Sequence, residues 1–490
     1  MSKPENPYRS ESQRSADPTE SQPSRYLTEP RPSAEMPAGI PYIVGNEAAE
    51  RFSFYGMNSI LAMYMTTMLL DSSGVADPMS DAEATSYVHL FKMSAYFFPI
   101  LGAILADGLL GKYRTIMALS SVYCLGHLAL AMDDVFYWLK PTAAGDWSFI
   151  AGYESRFGMA VGLFLIAVGS GGIKPCVSAH VGDQFGSMNQ HLLSRVFAWF
   201  YFSINFGALL SQFLTPMLRE RYGASVAFGV PGVLMFVATF VFWMGRHKFI
   251  HVPAGGMKFV KEAFSGTGLR AILHLVPVYV FIAMFWALFD QTASRWVLQA
   301  RNMDRHVFGH EWLPDQIGLV NPLFVLAFIP LFTYVVYPAI NRYFPLTPLR
   351  KIGTGLFLAV VAFSISAGIE TWIVAGEQPT ILWQILAYVV LTAAEIMVSI
   401  TALEFSYTQA PNKMKSFIMG LYLLSVSAGN LFTTLVNVFI QNEDGTSKLA
   451  GADYYWFFTA AMLVTAIVYV PFSFVYRGQV YLQGRDDGGE

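Results

Sequence analysis

A chain of 490 residues that is 54% hydrophobic and only 13% charged is not composed like a soluble protein, which carries about twice that charged fraction. Its formal net charge of -3 and its lack of a basic tract exclude a charge-driven nucleic-acid binder. Cys124 and Cys176 sit in apolar stretches with no disulfide or metal spacing, and HExxH, Walker and GxSxG motifs are absent, so neither a metal-assisted nor a covalent enzyme is indicated.

In chain order, residues 1–37 are rich in Ser, Pro, Glu and Arg and read as a disordered tail without the apolar core of a signal peptide. The first apolar run, about 40–70, contains EAAERFSFYG, Glu47 to Gly56. Helical spacing puts Glu47, Glu50 and Arg51 on one face, and Tyr55 and Asn58 continue it. Charges inside a membrane-length segment are costly unless they pair or face a wet cavity. They therefore mark either a functional site or a structural ion pair between packed helices.

Span 2 covers about 85–109 and carries His89, Lys92 and Tyr96; it ends in GAILADGLLGKYRT. Spans 3 to 6 cover about 114–132, 157–180, 193–217 and 225–245, with Lys174 in span 4. A basic connector, Arg246 to Arg270, could lie along a membrane surface as an amphipathic helix. Spans 7 to 12 follow at about 271–293, 316–341, 350–374, 380–405, 414–440 and 453–476. Roughly 20 apolar residues cross a bilayer, so about twelve transmembrane helices are expected. Lys and Arg concentrate in the connector and the loops on its side, whereas the 1–2 and 9–10 loops have none. Both termini and the connector are thus expected to be cytoplasmic. The expected architecture is all-α: a six-helix bundle over 38–245, the connector at 246–270, a second bundle over 271–478 and a short tail at 479–490. Two such halves enclose a midplane cavity.

EAAERFSFYG resembles the ExxERFxYYG signature of the proton-coupled oligopeptide transporters, a branch of the major facilitator superfamily. GGIKPCVSAHVGDQF (Gly171 to Phe185), FYFSINFGALLS (Phe200 to Ser211), FWALFDQTASRWVLQA (Phe285 to Ala300) and LEFSYTQAPNKMKS (Leu403 to Ser416) also look like family motifs. The last two look closest to the animal intestinal and renal peptide transporters. The resemblance implies a symporter of di- and tripeptides, and of peptide-like drugs, working by alternating access as a monomer in the plasma or inner membrane. Protons are its coupling ion, with no other cofactor, no metal and no catalysis. Within the same fold the alternative is a nitrate or other small-anion symporter; outside transport it is a transport-inactive receptor.

A short peptide is a zwitterion, so its site needs an acid and a base at opposite ends and tolerant pockets between. The resemblance implies Arg51 and Lys174 as the basic end and Glu395, in the other half, as the acidic end. Asn205 and Asn321 match amide-reading asparagines; by themselves such residues are more often satisfied core amides. Tyr55, Tyr96, Tyr201 and Trp286 are implied as pocket walls. Proton coupling is implied for Glu47, Glu50 and Arg51 with Lys174, since protonating a glutamate frees a base for the peptide carboxylate. His89 matches a proton-handling histidine, although a histidine bonded between helices fits equally well. Asp107, Lys112 and Arg114 are implied as a loop latch. The chain departs from the family at Phe54, at Asn58 (an arginine in relatives), at Tyr422 (a tryptophan) and at His274 and Thr333, an ion pair in the animal proteins. These departures bear on substrate preference and gate strength.

Overall fold

The computed structural model describes residues 26–476 apart from 31, 140–151, 257–265, 410–414 and 443–445. Residues 1–25 of the expected disordered tail, the end of the chain from 477 and the middle of the connector lie outside the described residues.

Twelve long helices account for most of what is described. They are α1 (Ile40–Thr67), α2 (Asp81–Ile104), α3 (Lys112–Ala131), α4 (Ser155–Asp183), α5 (Leu193–Tyr222) and α6 (Ala224–Met244), then α7 (Gly266–Phe289), α8 (Val320–Leu331), α9 (Pro348–Val374), α10 (Leu382–Glu395), α11 (Lys415–Ile440) and α12 (Ala452–Val475). Eleven of the helical segments are long and apolar enough to cross a membrane; α1 has the length, at 28 residues, but carries the charged turn. A bilayer leaves backbone groups no water to bond, so spanning segments satisfy them internally as helices.

Local signals explain several boundaries. Ser80 accepts the Glu83 amide at 3.2 Å and starts α2, with Asp81 and Glu83 in the first turn, where the helix dipole favours acids. Gly223, at φ +83°, breaks the chain between α5 and α6. The connector was expected to run to Arg270, but α7 already begins at Gly266. The short helix Asp133–Leu139 and the hairpin of β1 (His306–Val307) and β2 (His310–Glu311) were not expected.

Two large apolar cores form among the described residues. One is built from residues between Ile40 and Phe249, the other from residues between Leu275 and Tyr469. Leu27 bridges Ile250, while Tyr476 stacks on His274, so both ends of the described chain lie at one face, here the terminal face. Every side-chain hydrogen bond between the halves, among the described residues, lies toward the opposite, far face. Arg219 on α5 meets Asp315 at 2.9 Å, Arg301 meets Asp81 at 3.1 Å and Lys92 meets Asp290 at 2.7 Å. The halves are therefore clasped on the far side.

The Arg219–Asp315 pair is a test of that closure. Its side chains are 7% and 0% exposed, and Glu220, the other acid near Arg219, is 59% exposed. Asp315→Ala leaves a buried guanidinium without its partner, a loss of about 3–5 kcal/mol. The expected result is a clearly lower unfolding temperature of the detergent-solubilised protein; an unchanged one would mean the pair adds nothing net.

Candidate functional site

The charged turn of α1 forms as the spacing predicts. Arg51 donates from Nε to Glu47 Oε1 at 2.7 Å, and Glu50 Oε2 lies 2.9 Å from the same nitrogen. Ser170 on α4 donates to Glu50 Oε1 at 2.9 Å. All three charges are buried. The site needs close helix packing. A Cβ at Gly207 would come within 2.7 Å of the Ala48 carbonyl, so only glycine lets α5 lie against this turn. Gly171 does the same for α4 against α2, where a Cβ would meet the Ala95 carbonyl at 2.8 Å.

That second contact positions Lys174. Its ammonium lies 4.0 Å from the centre of the Phe54 ring and 4.4 Å from that of Tyr96, and it has no hydrogen-bond acceptor. Cation–π attraction replaces only part of what water supplied. The base is thus held near its neighbours without a committed partner.

Two adjoining chambers lie between the halves. One, about 150 Å³, reaches Asn58, Tyr96 and Trp286. The other, about 260 Å³, reaches Tyr201 and Asn205. Tyr55, Gln212, Asn321 and Glu395 line both. Seven of the nine residues read as substrate-binding therefore line one cavity system. Arg51 and Lys174 do not: Arg51 is taken up by its two glutamates, and Lys174 sits behind the rings of Phe54 and Tyr96.

Glu395 accepts from Asn321 Nδ2 at 2.8 Å; the same nitrogen lies 3.1 Å from Thr392 Oγ1. Among the described residues, no Lys, Arg or His is within ion-pairing distance of Glu395. It is also the last α-helical residue before a π-helical turn, Ile396–Ile400. Such turns recur at functional sites, and nothing in the local sequence announces this one. Asn205 donates to the Tyr201 carbonyl at 2.9 Å, so part of its amide is already satisfied within α5.

His89 is bonded elsewhere than to the α1 turn. Its Nδ1 meets Asn430 Oδ1 at 2.7 Å and its Nε2 meets Ser294 Oγ at 3.0 Å, both from the other half. The loop reading needs a new partner: Lys112 pairs with Asp183 at the end of α4, at 2.7 Å. The Asp107 carbonyl accepts from the Gly255 amide at 2.8 Å, and Arg114 is exposed. Of the departures, Asn58 faces the smaller chamber, Tyr422 lies within 3.2 Å of the Ser399 hydroxyl, His274 stacks on Tyr476, and Thr333 is exposed. Sequence reasoning passed over Asp290, Asp315, Arg219 and Asn430. An acid or base at membrane depth was the available signal for Asp290 and Lys92.

A sequence profile of the POT family matches residues 113–267 and 257–457, more than half of the chain. The chain belongs to the POT family. It is 38% identical over 379 residues to Peptide transporter family 1 of Drosophila melanogaster, covering 69% of this chain and 48% of that protein. It is 37% identical over 390 residues to human Solute carrier family 15 member 2, covering 71% and 51%. The chain spans about half the length of the curated relatives it matches. The crystal structure of the POT family transporter PepTSo superposes with a TM-score of 0.79 at 34% identity, over 90% of this chain and 99% of that one. An auto-inhibited POT family peptide transporter matches with the same TM-score and identity, over 92% and 99%. The multi-pass membrane fold is that of these transporters.

Proposed function

We propose that this POT family member is a proton-coupled symporter of di- and tripeptides, and of peptide-like drugs, working by alternating access. The observation that carries this reading is one cavity with an unpaired carboxylate, Glu395, on the C-terminal side and a basic group, Lys174 and Arg51, behind its N-terminal wall. The peptide ammonium pairs with Glu395. The peptide carboxylate is served by Lys174 and, once released, by Arg51. Asn321 and Asn205 meet backbone amides, and Trp286, Tyr55, Tyr96 and Tyr201 form walls that accept varied side chains.

The α1 turn is the proton site in this reading. Two carboxylates face one guanidinium within the turn, with the Lys174 ammonium close by; a proton on one glutamate removes an acid from this balance and leaves a base free. Protonation also loosens the hold on Arg51. Lys174, poised over two rings, is the second base such a switch can use. The terminal face is the cytoplasmic face of the plasma or inner membrane, protons are the only coupling ion, and one chain is the working unit. A small-anion carrier fits less well, because Asp290, Asp315 and Glu395 line the smaller chamber and, among the described residues, Lys92 is the only Lys or Arg in that lining.

The test is uptake of labelled dipeptide into proteoliposomes holding the purified full chain. An inward proton gradient is expected to drive accumulation, and collapsing it with a protonophore to abolish accumulation. Uptake of nitrate but not dipeptide under the same gradient would favour the anion reading.

A further inference from the structure

Lys92 neither holds the peptide nor carries the proton in the reading above. Its ammonium crosses from α2 to the turn after α7, where it donates to Asp290 Oδ1 at 2.7 Å and to the Asp290 carbonyl at 3.2 Å. The other Asp290 oxygen accepts from Asn430 Nδ2 at 2.6 Å. Asn430 Oδ1 in turn meets His89, which reaches Ser294. His89 and Lys92 lie three residues apart on one face of α2, so this helix holds the other half at two adjacent points. The lysine and aspartate side chains are 7% and 8% exposed.

The lining of the smaller chamber gives this pair its weight. Lys92 is the only Lys or Arg among the described residues there, beside Asp290, Asp315 and Glu395. Asp315 is neutralised by Arg219, which leaves Lys92 to balance Asp290. Asn58 lines the same chamber from α1, and its Oδ1 is buried without a hydrogen-bond partner. An amide at 58 cannot hold Asp290 electrostatically; a base there could.

We propose that Lys92 is the positioning cation that clasps the two halves beneath the far face, supplying from α2 a charge that position 58 does not supply from α1. Separating the halves on that side breaks the pair. Removing Lys92 leaves a buried carboxylate that Asn430 still bonds but no charge balances, and water entering between the halves relieves it. The closed arrangement is then the one that loses.

The test reads opening directly, with no peptide and no gradient, so its failure is distinguishable from failure of the transport reading. Val297 is 3% exposed and packs with Ala62 and Met63 of the other half beneath the far face. In the purified full chain with Cys124→Ala and Cys176→Ala, Val297→Cys reports opening through its rate of reaction with a membrane-impermeant maleimide. Lys92→Met is expected to raise that rate at least fivefold. Asp290→Asn, which nearly preserves shape and removes the same pair, is expected to raise it similarly. Asn58→Arg added to Lys92→Met is expected to return the rate to within twofold of the starting protein. An unchanged rate in both single variants overturns the clasp. A rise that is seen with Lys92→Met and absent with Lys92→Arg, but that Asn58→Arg added to Lys92→Met does not return, overturns the shared-charge assignment.

Discussion

Glu395→Ala is expected to lose uptake of ordinary dipeptides while the protein stays folded and inserted. The carboxylate is the one acid of the cavity with neither a lysine nor an arginine beside it; Asp290 has Lys92 and Asp315 has Arg219. A charge-assisted hydrogen bond to a peptide ammonium contributes about 1.5–3 kcal/mol, or roughly tenfold to over a hundredfold in affinity. Truncation to alanine also strips the Asn321 amide of its acceptor. Glu395→Gln separates these two effects, because glutamine keeps an acceptor for Asn321 but not the charge. The glutamine variant should therefore fail as badly as alanine on dipeptides. It should compete no worse than the parent protein for a dipeptide analogue lacking the α-amino group, since neither protein has an ammonium to bind. Competition curves with the two ligands on the three proteins measure this. If Glu395→Gln binds ordinary dipeptides normally, the ammonium is held elsewhere.

The helix count and the α1 turn were legible because both rest on short-range rules. Apolar runs of membrane length announce helices, and spacings of three and four residues put Glu47, Glu50 and Arg51 together. What joins helices far apart in the chain was not legible. Lys92 and Asp290 are 198 residues apart, and Lys112 and Asp183 are 71 apart, so no local periodicity connects them. The resemblance of the loop motif groups Lys112 with Asp107 and Arg114, yet the close approach of α3 to the end of α4 presents Asp183 to the lysine. The wall in front of Lys174 is a similar case. Sequence placed the lysine at the substrate, while the packed rings of Phe54 and Tyr96 separate it from the chamber. The resemblance implies His89 as a proton-handling histidine; its two bonds tie it to α11 and to the turn after α7.

These contacts shape what the α1 turn is expected to do. Glu47→Gln and Glu50→Gln each mimic a protonated carboxyl: glutamine keeps the size and some hydrogen bonding but has no proton to release. Arg51 then faces one carboxylate instead of two, and the turn has lost one of its two titratable carboxyls. Such variants are expected to lose accumulation driven by a pH gradient. They are expected to keep exchange of labelled for unlabelled peptide, because exchange needs binding and rocking but no net proton movement. Lys174→Ala should differ, since on the proposed function it removes the base that serves the peptide carboxylate, and both modes should fall. The lost driving force is substantial: each proton moved through a membrane potential contributes about 2.3 kcal/mol per 100 mV. Glu50 carries the sharper form of the prediction, because Ser170 on α4 already donates to it and so links its charge to the helix that holds Lys174. Paired counterflow and gradient-driven uptake in proteoliposomes measure the two modes on the same preparation. If both glutamine variants still concentrate peptide against its gradient, the proton is handled outside this turn. The chain of His89, Asn430 and Asp290 is then the next buried titratable group to test, through Asp290→Asn in the same pair of assays.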